Sequence, residues 1–461
     1  MFGDGRANNP ATIDRIRGSY GTIDDYSNWS GALRADGPLF ALPAGNVRIA
    51  VGAEYRREAY DYFVKNDVSA ATPDNAPYPG LPGPRHVKSV YAELNVPIVG
   101  PDNAVPGFWR LEISVAGRIE DYNQFGRTEN PKASVRWEPV EGISLRGSYG
   151  TSFRAPLFDE LIGPALSLYS VENVPNPASP TGQSTVLALF GYAPNIQPEK
   201  ATTWTAGFDI ASPSLPGLRA SLTYYDVDYR DRIGTVTEDY LRFLSNRDVF
   251  GGVITDNPPL DLVNFYFNQP TFFNPLGAAP TDIVAILDGQ TRNLSAERQR
   301  GIDFDLGYAP PVAGGTLDLG IAGTHIFSIK RQLTPGAPST NVVGLYASPV
   351  KWRLRGRAGW SKGGFSANAF VNYTDGYVNQ TAVPAEPVSP WTTVDLTLSQ
   401  RIGGRGGEDG RGLQLGLSVS NLFDKDPPYV LNRSATSATG YDPEKASPIG
   451  RMISVQAVIR W

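Results

Sequence analysis

Apolar and polar residues alternate with period two along most of this chain. In 108 to 122, Trp109, Leu111, Ile113, Val115 and Ile119 share one face, while Arg110, Glu112, Ser114, Arg118 and Glu120 share the other. In 350 to 360, Trp352, Leu354, Ala358 and Trp360 oppose Lys351, Arg353, Arg355 and Arg357; in 413 to 419, Leu413, Leu415, Leu417 and Val419 alternate with Gln414, Gly416 and Ser418. A period of two belongs to extended strands and not to helices. It predicts about 15 strands, near 29–38, 47–63, 87–98, 108–122, 128–138, 143–153, 197–210, 218–230, 296–309, 316–330, 350–360, 365–377, 391–402, 413–423 and 449–461. The last one carries Ile453, Val455, Ala457, Ile459 and Trp461 on one face. Termini of soluble domains tend to fray, so an amphipathic final strand points to a closed sheet in which it must pair.

Two properties separate this pattern from a soluble sandwich. The strands run to about 11 to 17 residues, against five or six in ordinary sheets, and Trp or Tyr stands near the ends of their apolar faces, as in the girdles of membrane barrels. The connections also alternate in length. Short ones fall at 39–46, 99–107, 139–142, 211–217, 310–315, 361–364 and 403–412; between them lie 64–86, 123–127, 154–196, 231–295, 331–349, 378–390 and 424–448, of which only 123–127 is short. Short turns at one end and long loops at the other are the outer-membrane pattern. The predicted fold class is therefore all-β, an antiparallel transmembrane β-barrel.

Composition narrows the chemistry. The 461 residues include 49 Gly, 39 Pro and no cysteine, which excludes disulfides, thiolate metal sites and cysteine nucleophiles. A net charge of -5 and a pI near 5.3 argue against a nucleic-acid surface. No apolar run reaches the roughly 18 residues of a spanning helix, so any membrane crossing is made by strands. The residues after Met1 lack the basic and apolar regions of a signal peptide.

Several motifs, in this order, resemble the TonB-dependent outer-membrane receptors over most of the chain. They are Asp36-Gly37-Pro38-Leu39-Phe40 with Leu42-Pro43-Ala44-Gly45; Gly150-Thr151-Ser152-Phe153-Arg154-Ala155-Pro156 with Glu160-Leu161; Gln197-Pro198-Glu199-Lys200; Asn421-Leu422-Phe423-Asp424-Lys425; and the aromatic C-terminus. Pro156 ends a strand and Pro198 opens one, places where a missing N–H is tolerated, so these motifs are read as structural. The resemblance implies uptake of a scarce nutrient (a ferric siderophore, haem, cobalamin or oligosaccharide) with no bound cofactor. It also implies outer-membrane lipid around the barrel, a TonB energy-transducing complex engaged through an N-terminal part, and a barrel-assembly machinery that reads the C-terminal strand, here ending on Trp461 where Phe is more usual. Family members carry a plug ahead of the barrel, and plugged transporters have 22 strands. The expectation is thus an incomplete barrel with about 15 of 22 strands and no plug: 1–28 as an extracellular loop remnant, 29–461 as the C-terminal part of the barrel, and the two edge strands apart.

Candidate chemistry is sparse. His86 and His325 are the only histidines, which puts a histidine triad or His-rich zinc site out of reach, and both are expected as surface residues near outer strand ends. Asp303 and Asp305 share a face and are expected in the lumen. The ladder Lys351, Arg353, Arg355 and Arg357 either pairs with acids on neighbouring strands or the plug, or forms a basic track for an anionic ligand. In 231–295 lie helix-like stretches at Thr237 to Asn246 and Thr281 to Asp288, and the run Phe265, Tyr266, Phe267 and Asn268, which suits either stacking on a ligand or the loop's own small core. Competing readings are a passive porin or adhesin-like barrel and an outer-membrane hydrolase.

Overall fold

The computed structural model describes residues 9, 11–13, 17–18, 20–66, 76–77, 80–163, 167–211, 213–403, 412–431 and 439–460. Alternation produces the expected strands: β1 (Tyr20–Leu42), β2 (Gly45–Asn66), β3 (Arg85–Val99), β4 (Arg110–Tyr122), β5 (Gly126–Val140), β6 (Ile143–Arg154), β7 (Glu199–Ile210), β8 (Leu218–Gly234), β9 (Arg292–Tyr308), β10 (Gly315–Gln332), β11 (Trp352–Lys362), β12 (Phe365–Thr374), β13 (Trp391–Ile402), β14 (Gly412–Ser420) and β15 (Met452–Arg460). Each pairs antiparallel with its sequence neighbours, so the sheet is one continuous meander. Tight reversals fall where glycine reaches positive φ, as at Gly142 (81°) and Gly363 (58°).

The sheet is open. Among the described residues, β1 pairs with β2 and β15 with β14, and neither pairs with the other. Both edges are bare, with Leu33 81% and Val455 78% exposed. Residues 20–28 were expected in an outer loop; instead they are strand, because Tyr20 to Asn28 pair in register with Asn66 to Glu58 of β2. Trp461 lies outside the described residues.

Register carries one polar and one apolar face across the sheet. On β11, Arg353, Arg355 and Arg357 share the polar face; Trp352, Leu354, Ala358 and Trp360 share the other. From Trp352 to Trp360 the strand advances roughly 27 Å at about 3.4 Å per residue, which a barrel's tilt reduces to about the height of an outer-membrane apolar band.

The two longest loops, 155–198 and 235–291, build a sheet of their own above the long-loop end. Its strands run in the order Ile254–Asp256, Ala285–Asp288, Gln183–Phe190, Leu168–Pro175 and Phe272–Phe273. The helix-like stretch at Thr281 to Asp288 is a correction: it is a 3-10 turn (Pro280–Asp282) followed by the strand Ala285–Asp288, which lies between Ile254–Asp256 and Gln183–Phe190. Strand wins there because Ile286 and Leu287 are buried on opposite sides, in separate apolar clusters. The stretch at Thr237 to Asn246 does begin as a 3-10 helix, Thr237–Arg242.

Leu187 is fully buried against Val171, Val263 and Ile286. Leu187→Ala is expected to cost the loop sheet about 2 to 5 kcal/mol, seen as protease cleavage within 235–291 at lower denaturant while far-UV dichroism of the strands is unchanged. Simultaneous loss of both signals would show that the loop sheet has no stability of its own.

Candidate functional site

At the long-loop end of the polar face, Arg154 closes β6 opposite Glu199, the first residue of β7. Its guanidinium donates to Glu199 at 2.6 and 2.7 Å and to Glu160 at 3.0 Å twice. Glu199 also accepts from the Tyr229 hydroxyl and, at 2.7 Å, from the Ile233 N–H, and its side chain is only 4% exposed. Beside this clamp, the carbonyl of Pro156 accepts from buried Arg85 at 2.6 Å, and the Phe158 ring lies 4.7 Å from the same guanidinium. The strand-ending motif thus turns the following segment back over the polar face.

Lower on that face the basic ladder divides in two. Arg357 lies across Gly320 and Gly307, where any Cβ would come within 2.6 and 2.8 Å of its guanidinium, and reaches Asp318 at 3.3 Å and Asp305 at 3.8 Å. Arg355 stacks on Phe370 at 4.4 Å. Lys351, Arg353 and Arg355 are exposed, and among the described residues none of them forms an ion pair. Asp303 accepts from Thr324 at 2.6 Å, so both Asp303 and Asp305 stand on the polar face.

Arg353 also lines a cavity of about 320 Å³ with Thr324, Ser348, Glu444 and Lys445. Lys445 is fixed: it donates to Asp442 at 2.5 Å, lies 4.4 Å from the Tyr377 ring, and both charged side chains are buried. Burial, with Asp442 nearby, pushes the Tyr377 hydroxyl up from its ordinary range and keeps it neutral. The other cation of this cavity, Arg353, makes no ion pair among the described residues and donates to the Glu444 carbonyl at 3.4 Å.

The family described as TonB dependent receptor-like, beta-barrel, matches residues 2–422. The chain belongs to this family. The fold is similar to that of a mutant of the ferric enterobactin receptor PfeA of Pseudomonas aeruginosa in complex with enterobactin (TM-score 0.60, 18% identity, 94% of this chain and 54% of that one). It is also similar to the siderophore receptor PirA of Acinetobacter baumannii (0.59, 14%, 95% and 55%) and to the FpvAI–pyocin S2 complex (0.56, 13%, 95% and 50%). The chain spans about half the length of these solved structures.

For an outer-membrane receptor barrel, the polar face lines the lumen and the apolar face meets lipid. Two girdles follow. Trp204 with Tyr224 (5.0 Å) and His325 with Trp352 (3.9 Å) mark the long-loop end; Phe108 with Trp137 (5.5 Å) and Trp360 with Phe365 (6.2 Å) mark the short-turn end. Both histidines belong to the outer girdle, His86 through a 2.8 Å bond to the Tyr55 hydroxyl. Among the described residues, no His, Asp and Glu group could hold a metal.

The aromatic run lies on the helix Leu260–Phe267 of the loop sheet. Tyr266 packs on Tyr169 at 5.0 Å and Phe267 on Phe272 at 4.2 Å, joining the loop core. Phe265 is 56% exposed, and Asn268 ends the helix by donating to the Asn264 carbonyl at 2.7 Å. The structure thus separates this run from the arginine ladder, which belongs to the barrel wall.

Arg154, Glu160 and Glu199 stand in motifs visible in the sequence, but the pattern alone does not join them into one clamp. The signal was present, since each falls at a strand end or just beyond, on the polar side. Arg154→Ala strands Glu199 out of water without a cation, for an expected loss of about 3 to 5 kcal/mol in urea unfolding of the purified barrel. Arg154→Lys should recover only part of it, because an ammonium cannot make paired bonds to two carboxylates. Equal stability of the Ala variant would remove the clamp from the account.

Proposed function

We propose that this chain is the barrel portion of an outer-membrane receptor for TonB-dependent uptake of a small anionic nutrient, a ferric siderophore chelate. The observation that carries this reading is the basic ladder, with Arg357 held by Asp305 and Asp318 and with Lys351, Arg353 and Arg355 above it making no ion pair among the described residues, leading from the long loops into the lumen. Fixed cations over a water-filled passage attract and orient an anion. The cavity at Arg353 supplies hydroxyls from Thr324 and Ser348 at the same level.

Exposed Phe265 on the loop sheet would make first contact with the aromatic parts of a chelate, while Tyr266, Phe267 and Asn268 hold it in place. Coupling to the TonB complex and assembly through the C-terminal strand are parts of the same proposal, resting on family membership. The siderophore receptors among the structures of similar fold favour an iron chelate over haem, cobalamin or an oligosaccharide.

The test is uptake of radioiron by cells whose only ferric-chelate route is the whole receptor. Neutralising Lys351, Arg353 and Arg355 to Gln should reduce uptake about tenfold or more, since one charge-assisted bond is worth about 1.5 to 3 kcal/mol. Arg357→Gln should act chiefly on barrel stability. Undiminished uptake by the triple variant, at equal surface amount, would contradict the proposal.

A further inference from the structure

Below Arg355 the polar wall differs on the two sides of the ladder. Toward β10 and β9 it presents the carboxylates of Asp318, Asp303 and Asp305. Toward β12, β13 and β14 it presents amides and hydroxyls: Asn372 stands opposite Arg355 and Thr393, Asn368 opposite Thr397, and Ser366 opposite Ser399. Among the described residues, the charges on this face of β12 to β14 are Asp395 and, at the short-turn end opposite Gln414, Arg401. Asp395 is already engaged, since its two oxygens accept from the Asn421 N–H at 2.9 Å and from the Asn372 amide at 2.8 Å.

The neutral groups are joined across the strands toward the short-turn end. Asn368 lies over Gly359 of β11, just below Arg357, where a Cβ would collide with its amide oxygen. It donates to the Thr397 hydroxyl at 3.4 Å, and Gln414 donates to Ser399 at 3.3 Å. Bonds of that length are loose, so each group can turn to a passing acceptor.

Passage through a pore needs binding strong enough to admit a solute and weak enough to release it. A charge-assisted hydrogen bond is roughly twice as strong as a neutral one, so a row of arginines captures an anion and a row of amides and hydroxyls lets it go. The wall of β2 to β5 is unsuited to release. It pairs Arg56 with Glu58 at 2.7 Å, Arg118 with Glu120 at 2.6 Å and Arg136 with Glu138 at 2.7 Å, so an anion there meets a carboxylate at each step. The neutral pair Ser148 and Thr205 is closed off at both ends, by Arg146 with Asp209 and by Arg154 with Glu199. The wall of β12 to β14 both adjoins the ladder and stays neutral down to Arg401.

We propose that an anion released by Arg355 crosses the lumen along the wall of β12 to β14, handed from Asn372 to Asn368 and Thr397 and then to Ser399 and Gln414. This route rests on the reading of the ladder as the capture site and adds how the captured solute leaves it. The lane residues set the rate of passage and not the affinity of capture.

The experiment uses cells carrying the whole receptor and radioiron loaded onto the chelators of iron-starved culture medium. Surface binding is measured in energy-poisoned cells and uptake in respiring ones, at equal surface amount of receptor. Ser399→Asp should leave surface binding unchanged and slow uptake about fivefold or more, because a fixed like charge repels the passing anion. Ser399→Asn should leave both unchanged, and so should Ser134→Asp, the same change on the lumen face of β5. If Ser399→Asp fails to assemble, Ser399→Cys treated after assembly gives the second reading. A sulfonate thiol reagent should slow its uptake and an uncharged methyl reagent should not, against the parent receptor treated alike. Uptake indifferent to both the acid and the sulfonate, equal slowing by Ser134→Asp, or a loss of surface binding that matches the loss of uptake would each overturn the route. Failure of the capture site has a different signature, unchanged surface binding when Lys351, Arg353 and Arg355 are neutralised, and the route falls with it.

Discussion

A strand crossing an apolar layer has no water to satisfy its N–H and C=O groups, so its backbone must be paired along both edges. Everything else in this molecule is arranged around that demand. It explains why fifteen strands of a 461-residue chain form one meander, each paired with its sequence neighbours. It explains why turns at one end shrink to two residues, as between β5 and β6, while the freedom to grow is confined to the other end. It also gives meaning to the places where pairing fails, the bare edges of β1 and β15.

With the backbone committed, chemistry is left to side chains on the lumen face, and there one device recurs. An arginine lies flat across a glycine of the adjacent strand to reach carboxylates beyond. Arg357 crosses Gly320 and Gly307 to Asp305 and Asp318. Arg146 crosses Gly207, where a Cβ would stand 3.2 Å from its guanidinium, and gathers Asp209, Ser221 and Thr223. The glycines are what let a long cation lie along the wall, and the acids fix it there. Above Arg357, Lys351, Arg353 and Arg355 of the same ladder make no ion pair among the described residues.

The barrel was legible because its rule is local: period two, lengths above ten residues and loops sorted by end need no knowledge of tertiary contacts. The first strand was read too short because Tyr20 to Asn28 carry little apolar alternation, and their strand state comes from pairing with β2 over Glu58 to Asn66. The loop sheet was illegible for a related reason. Ala285–Asp288 is four residues long and becomes strand only between Ile254–Asp256 and Gln183–Phe190, segments far apart in sequence. The rim clamp lay between these cases. Its three charges stand in recognisable motifs, yet joining Arg154 to Glu199 requires the β6–β7 register, which hydrophobic pattern alone does not supply.

The central claim is that one face of each strand meets lipid and the other meets a water-filled lumen carrying the arginine ladder. The chain has no cysteine, so single cysteines placed in turn from 352 to 360 of β11 in the membrane-reconstituted protein report each face without background. A charged, water-borne thiol reagent should label 353, 355 and 357 and spare 354 and 358, and a lipid-soluble reagent should give the opposite alternation. Uniform labelling, or charged reagent reaching 354 and 358 as readily as 353 and 355, would contradict the two-faced wall on which the account stands.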